Sequence, residues 1–139
     1  MKQSNTFCIL PWMHVATNSS GNYRVCCNST PGENFITDEN GAPYKIYKNS
    51  PDEIWNTKVY KDLRKDLLNG KKPKMCVRCW REEATGIKSA REGFNESYKD
   101  HINEAMTSTK EDGTAPVKGV YVDLRLGNLC NLKLSLIHI

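Results

Sequence analysis

Residues 7–27 run FCILPWMHVATNSSGNYRVCC: an apolar stretch, a polar turn, and a second apolar stretch that ends in two cysteines. The pattern predicts strands over 9–17 and 22–27, joined by the turn Asn18-Ser19-Ser20-Gly21. In the second strand Tyr23, Val25 and Cys27 share one face, while Arg24 and Cys26 share the other. Twelve residues separate Cys8 from Gly21, and four separate Gly21 from Cys26. A hairpin would place Cys8 and Cys26 on adjacent strands, where cross-strand neighbours lie close.

A second pair, Cys76-Val77-Arg78-Cys79, comes about fifty residues later. Two cysteines separated by two residues can point at one centre from a tight turn. Cysteine thiolates bind soft or borderline metals, and four of them complete a tetrahedral zinc site or hold an iron–sulfur cluster. Alone, Cys76 and Cys79 would equally suit a dithiol redox pair. The spacing of all four is the stronger signal.

The chain between the pairs divides into readable pieces. Residues 28–49 are rich in Asn, Gly, Pro and Thr and are expected to form a long irregular connection. Ser50-Pro51-Asp52-Glu53 has the form of a helix start with a capping box, and Trp55, Val59, Leu63 and Leu67 form one stripe up to Asn69-Gly70. A second helix is expected over 80–98, weakened by Gly86 and Gly93. Residues 107–116 read as a polar linker. Residues 117–126 read as a buried strand with Val120, Val122 and Leu124 on one side.

With 139 residues, 38% of them apolar, one domain or one plus the start of another is expected, with a modest core. A net charge of +4 is mild, and the basic residues are scattered except for Lys71-Lys72-Pro73-Lys74. This short run reads as an exposed loop able to meet an acidic partner, and no nucleic-acid partner is expected. No stretch reaches the ~20 apolar residues of a membrane span. Residues 7–16 resemble a signal-peptide core, but Pro11 and His14 interrupt them and only Lys2 precedes them. The expectation is a cytoplasmic protein, in which six cysteines read as ligands or reactive thiols before disulfides.

Taken together, Cys-x12-Gly-x4-Cys and Cys-x2-Cys resemble the auxiliary-cluster portion of SPASM and twitch domains, which accompany radical S-adenosylmethionine enzymes. Phe7-Cys8-Ile9-Leu10-Pro11-Trp12, the Cys26-Cys27 doublet, the Trp55 helix and Cys79-Trp80-Arg81-Glu82-Glu83 carry the same likeness, over roughly residues 7–95. The resemblance implies that Cys8, Cys26, Cys76 and Cys79 ligate one [4Fe–4S] cluster. A one-residue shift in strand register would exchange Cys26 for Cys27, which otherwise reads as a small buried hydrophobe. A structural four-cysteine zinc module acting in protein interaction is the alternative. His14 is expected to be a satisfied or exposed imidazole rather than a ligand. Trp12, Trp55 and Trp80 would shield the cluster or fill the core, and Glu82 and Glu83 would be solvated or ion-paired.

A second likeness begins at Val120. Tyr121-Val122-Asp123-Leu124-Arg125 and Gly127-Asn128-Leu129-Cys130-Asn131-Leu132-Lys133 resemble the first strand and cluster loop of a radical S-adenosylmethionine core. That loop carries Cys-x3-Cys-x2-Cys, whose thiolates bind three irons of a second [4Fe–4S] cluster; the fourth iron takes S-adenosylmethionine. Here Cys130 holds the first position, while Leu134 and Ile137 hold the other two and cannot ligate iron. Residues 134–139 depart from the family pattern and are similar to translated adapter sequence at the ends of metagenomic reads, so the gene is expected to be interrupted after Lys133. The fold class expected is α+β: a small hairpin and helices around a four-cysteine site over 1–110, the first strand of a truncated (β/α) barrel over 117–133, and an artefactual tail. The parent would be an enzyme taking an unknown peptide or small-molecule substrate and electrons from an electron donor. This chain, with no catalytic residue assigned, would be silent alone.

Overall fold

The computed structural model describes residues 2–29, 34–125 and 127. Cys130, Leu134, Ile137 and the 134–139 tail lie outside these residues, as do Leu126 and the end of the expected strand.

The hairpin forms, but it is shorter than its apolar pattern. Strand β1 is His14–Thr17 and β2 is Tyr23–Arg24, paired antiparallel with Ala16 opposite Arg24 and Thr17 opposite Tyr23. Pro11 accounts for the shortening. It sits at the start of a 3-10 turn, Leu10–Trp12, whose geometry suits a residue with fixed φ and no N–H. Cys8 therefore stands in a buried segment ahead of that turn, not on a strand, which corrects the expected cross-strand placement. Gly21 closes the hairpin at φ 78, where a side chain is strained, and a Cβ there would lie 3.0 Å from the Tyr47 ring.

The described part of 28–49 is not the irregular connection expected. It folds back over β2 through paired backbone: Ile36 N–H donates to Tyr23 O, Tyr44 N–H to Ile36 O, and Tyr23 N–H to Tyr44 O, each at 2.9 Å. Ile36, which contributes the apolar anchor of this return, is fully buried.

Ser50 caps the next helix as its sequence predicts: Glu53 N–H donates to Ser50 Oγ, and Ser50 N–H to the Glu53 carboxylate. The single expected helix is two, α1 (Pro51–Trp55) and α2 (Lys58–Leu68). The break serves Asn56, whose side chain donates to Ala115 O and accepts from Ala115 N–H, both at 3.0 Å. Beyond the break the apolar stripe resumes, and Trp55, Leu63 and Leu67 are buried in one core with Phe7, Ile9, Tyr23 and Tyr60. Each such side chain contributes about 2 kcal/mol on leaving water.

The expected helix over 80–98 is likewise two. Helix α3 (Val77–Ala84) stops at Gly86, φ 77, whose N–H returns to Glu83 O, and α4 (Ala90–Ser97) restarts on a second capping box, Ser89 with Glu92. A short α5 (Ile102–Ser108) packs Ala105 and Met106 inward, and residues 109–120 return across the α1–α2 break. Strand β3, Tyr121–Asp123, then joins β1 in parallel with His14 opposite Tyr121, giving the order β2-β1-β3. Its expected buried face is turned outward: Val120, Val122 and Leu124 are 47%, 51% and 43% exposed, because no described layer covers that side.

Arg64 on α2 ties these pieces together although it is a fully buried cation without a carboxylate partner among the described residues. Its Nε donates to Pro11 O at 2.9 Å, and its Nη1 donates to Asn56 Oδ1 and Gly113 O. The rings of Trp55 and Tyr60 lie 5.4 and 5.1 Å from its guanidinium carbon. Burial lowers its pKa to about 10, so it stays charged at neutral pH. Among the described residues no helix is long and apolar enough to cross a membrane.

Gly113 is the tightest point of this assembly, with φ 88 and an added Cβ only 2.2 Å from Lys61 O. Gly113→Ala is expected to cost at least about 2 kcal/mol, measured as a lowered denaturant midpoint, whereas Gly41→Ala, with φ 81 but open space around it, should cost less.

Candidate metal centre

Three separate segments bring four sulfurs to one place. Cys8, Cys26, Cys76 and Cys79 all line a single cavity walled by Leu10, Leu63 and Leu67. Among the described residues, no three His, Cys, Asp or Glu side chains close around a single metal ion.

Each segment is held by a different device. The backbone around Cys8 has no strand partner among the described residues, and α4 takes that role: Asn95 Oδ1 accepts from Ile9 N–H at 2.9 Å, and Asn95 Nδ2 donates to Phe7 O at 2.8 Å. Cys26 follows β2 in a turn where Ser29 N–H and Oγ both donate to its carbonyl. A hydrogen bond from Arg24 to Ser29 O closes the same turn. Cys76 ends a 3-10 turn over Lys74–Cys76, and Cys79 lies one turn into α3. Pro73 O fixes this corner by accepting from Cys76 N–H at 3.1 Å and from Trp80 Nε1 at 2.9 Å.

One polar residue reaches the sulfurs and a second lines the cavity with them, and sequence reasoning missed both. Asn28 donates its backbone N–H to Cys26 Sγ at 3.2 Å and its side-chain amide to Cys79 Sγ at 3.8 Å, so it spans the two cysteine pairs. Arg91, only 8% exposed, lines the cavity from α4. Neither carries a local pattern that would announce it; only contact across 51 residues gives Asn28 its place.

Burial pushes the thiols of Cys8 and Cys76 up to about 12, against a smaller downward pull from the Arg91 charge. Cys26 is also raised, first by its hydrogen bond with Cys27 and then by burial. Cys27 is not among the residues lining the cavity. Its hydrogen bond with Cys26 draws its own thiol well below the usual range, burial opposing and His14 assisting. His14 is buried rather than exposed; Nε2 accepts from Cys27 N–H at 3.2 Å, and its ring stacks on Tyr121 at 4.5 Å. Glu83 is ion-paired as expected, to Arg91, and Glu82 pairs with Arg78 on the surface. Trp12 and Trp55 fill the core, and Trp80 covers Arg91 beside the cavity. The first cysteine of the second motif, Cys130, lies outside the described residues.

Four cysteines around one largely apolar cavity give the module a donor set of the kind that suits thiophilic metals. Comparison with family models identifies it further: the SPASM iron–sulfur cluster-binding domain matches residues 8–80, more than half of the chain, and the chain belongs to that family. The match runs from Cys8 to the residue after Cys79, spanning all four cavity cysteines. Comparisons with curated proteins and with solved structures give no match.

Two outcomes follow from this geometry. Asn95→Ala leaves Ile9 N–H without its acceptor and should cost about 1–3 kcal/mol of stability, read by chemical denaturation. Thiols raised by burial are neutral at pH 7 and must lose protons to become ligands, so loading is favoured as pH rises. Iron and sulfide added anaerobically to weakly buffered protein should acidify it, and the loaded fraction should be greater at about pH 8.5 than at about pH 6.5.

Proposed function

We propose that Cys8, Cys26, Cys76 and Cys79 ligate one auxiliary [4Fe–4S] cluster in a radical S-adenosylmethionine protein. The observation that carries this ligand set is the one cavity lined by all four sulfurs. The family match to an iron–sulfur cluster-binding domain over residues 8–80 supports the cluster over the zinc interaction module.

Bound there, the cluster supplies one-electron transfer or a fixed point for orienting substrate. The protein's own part is to exclude water with Leu10, Leu63 and Leu67, and to hold Cys8 through Asn95. Asn28 offers hydrogen bonds to two of the sulfurs, which favours their anionic form. The likeness around Cys130 supports a radical core downstream, with S-adenosylmethionine and a second [4Fe–4S] cluster belonging to the intact parent. With leucine and isoleucine at 134 and 137, this chain does not carry out radical chemistry alone. The parent is read as a cytoplasmic enzyme acting on a peptide or small molecule, with electrons from an electron donor.

Anaerobic reconstitution with iron and sulfide should give a brown protein that bleaches with dithionite. Cys8→Ser and Cys79→Ser should lose most of the bound iron, while Cys27→Ser should retain it. Iron loss confined to Cys27→Ser would overturn the ligand assignment, and a colourless protein retaining stoichiometric zinc would overturn the cluster.

A further inference from the structure

Among the residues that line the four-thiol cavity, Arg91 alone has a guanidinium or carboxylate side chain. It is an expensive group to bury, and three contacts hold it there. Nη1 donates to Phe7 O at 2.7 Å, beside Cys8; Nε donates to Glu83 Oε1 at 2.8 Å; and the Trp80 ring lies 5.2 Å from its guanidinium carbon. Glu83 is itself aimed by Ser89, whose Oγ donates to the same carboxylate oxygen at 2.6 Å. Glu83 does not line the cavity. The ion pair therefore stands with its positive member toward the sulfurs and its negative member behind.

This orientation has a chemical consequence for any anionic group among the thiols. A positive charge fixed near a redox centre in a low-dielectric site favours the state with one more electron. Burial opposes ionisation of Glu83, but hydrogen bonds from Arg91 and Ser89 outweigh it and keep the carboxylate charged at neutral pH.

We propose that Arg91 is the counter-cation of the thiol cavity, a positioning residue that, under the opposing charge of Glu83, sets how readily the cluster accepts an electron. The assignment rests on the cluster reading above. It adds a residue that lies beyond the family match, which ends at residue 80.

The test compares reconstituted wild-type protein with Arg91→Gln, Arg91→Lys and Glu83→Gln. Iron and sulfide content are measured first, then the midpoint potential of the cluster by redox titration followed by electron paramagnetic resonance. Arg91→Gln should lower the potential, by about tenfold in the reduction equilibrium or about 59 mV for one electron. Glu83→Gln should raise it. Arg91→Lys, which keeps the charge and loses the fork, should stay near wild type. Opposite signs for the two neutralising changes are not expected from general loosening of the fold. Equal potentials in all four proteins, or shifts of the same sign in Arg91→Gln and Glu83→Gln, would overturn the role of Arg91 while leaving the cluster intact. Should Arg91→Gln fail to fold, the upward shift in Glu83→Gln and the unchanged potential in Arg91→Lys still decide. Wild-type protein that takes up no iron and sulfide would overturn the cluster reading, and this proposal with it.

Discussion

A buried backbone segment without a strand partner governs this structure. Residues 7–11 pass through the core, yet their peptide groups cannot be left unpaired, since an orphaned buried donor or acceptor costs about 1–3 kcal/mol. Side chains from two distant helices supply what a neighbouring strand would. Asn95 pairs with both sides of Cys8, Arg91 binds Phe7 O, and Arg64 binds Pro11 O. The cysteine is thereby fixed at a point where sheet geometry would not put it. Once the segment is pinned, the turn after β2 and the corner at Pro73 bring the remaining sulfurs to it.

The same economy shapes the electrostatics. Arg24, Arg64 and Arg91 are all buried in a chain of modest core, and the last two have different solutions to desolvation. Arg64 relies on carbonyl dipoles, an amide oxygen and two aromatic faces. Arg91 has a carboxylate as well. The difference matters because Arg64 knits the scaffold while Arg91 stands at the cavity, where a fixed field has something to act upon. Neutral thiols on one side and a cation on the other make a pocket of unequal charge, suited to a guest that brings negative charge of its own.

Local chemistry was legible in the sequence wherever it depended on near neighbours. The Ser50 capping box, the Gly21 turn and the Cys76–Cys79 pair follow from spacing of a few residues, and the wider spacing of Cys8, Gly21 and Cys26 adds the other two cavity cysteines. Helix continuity was misjudged twice. The periodicity of Trp55, Val59, Leu63 and Leu67 persists across a break made by Asn56, whose partner Ala115 is 59 residues away. The second misjudgement passed over Ser89 and Glu92, a restart signal as strong as the one at Ser50. The return of 34–49 over β2 was hidden because its pairing is backbone to backbone and leaves little trace in side-chain pattern. Alternation in 117–126 predicted a strand, and β3 is there, but alternation does not say which face has a neighbour.

The stretch that defines the family closes at residue 80, whereas the side chains that seat Cys8 stand at 91 and 95. A recognisable motif and a self-sufficient folding unit are thus different lengths of chain here. Anyone excising the domain at the edge of its signature would keep every sulfur and discard the clasp that holds the first of them in place. Grafting this module onto another scaffold would accordingly require the helix that follows the last cysteine pair to travel with it.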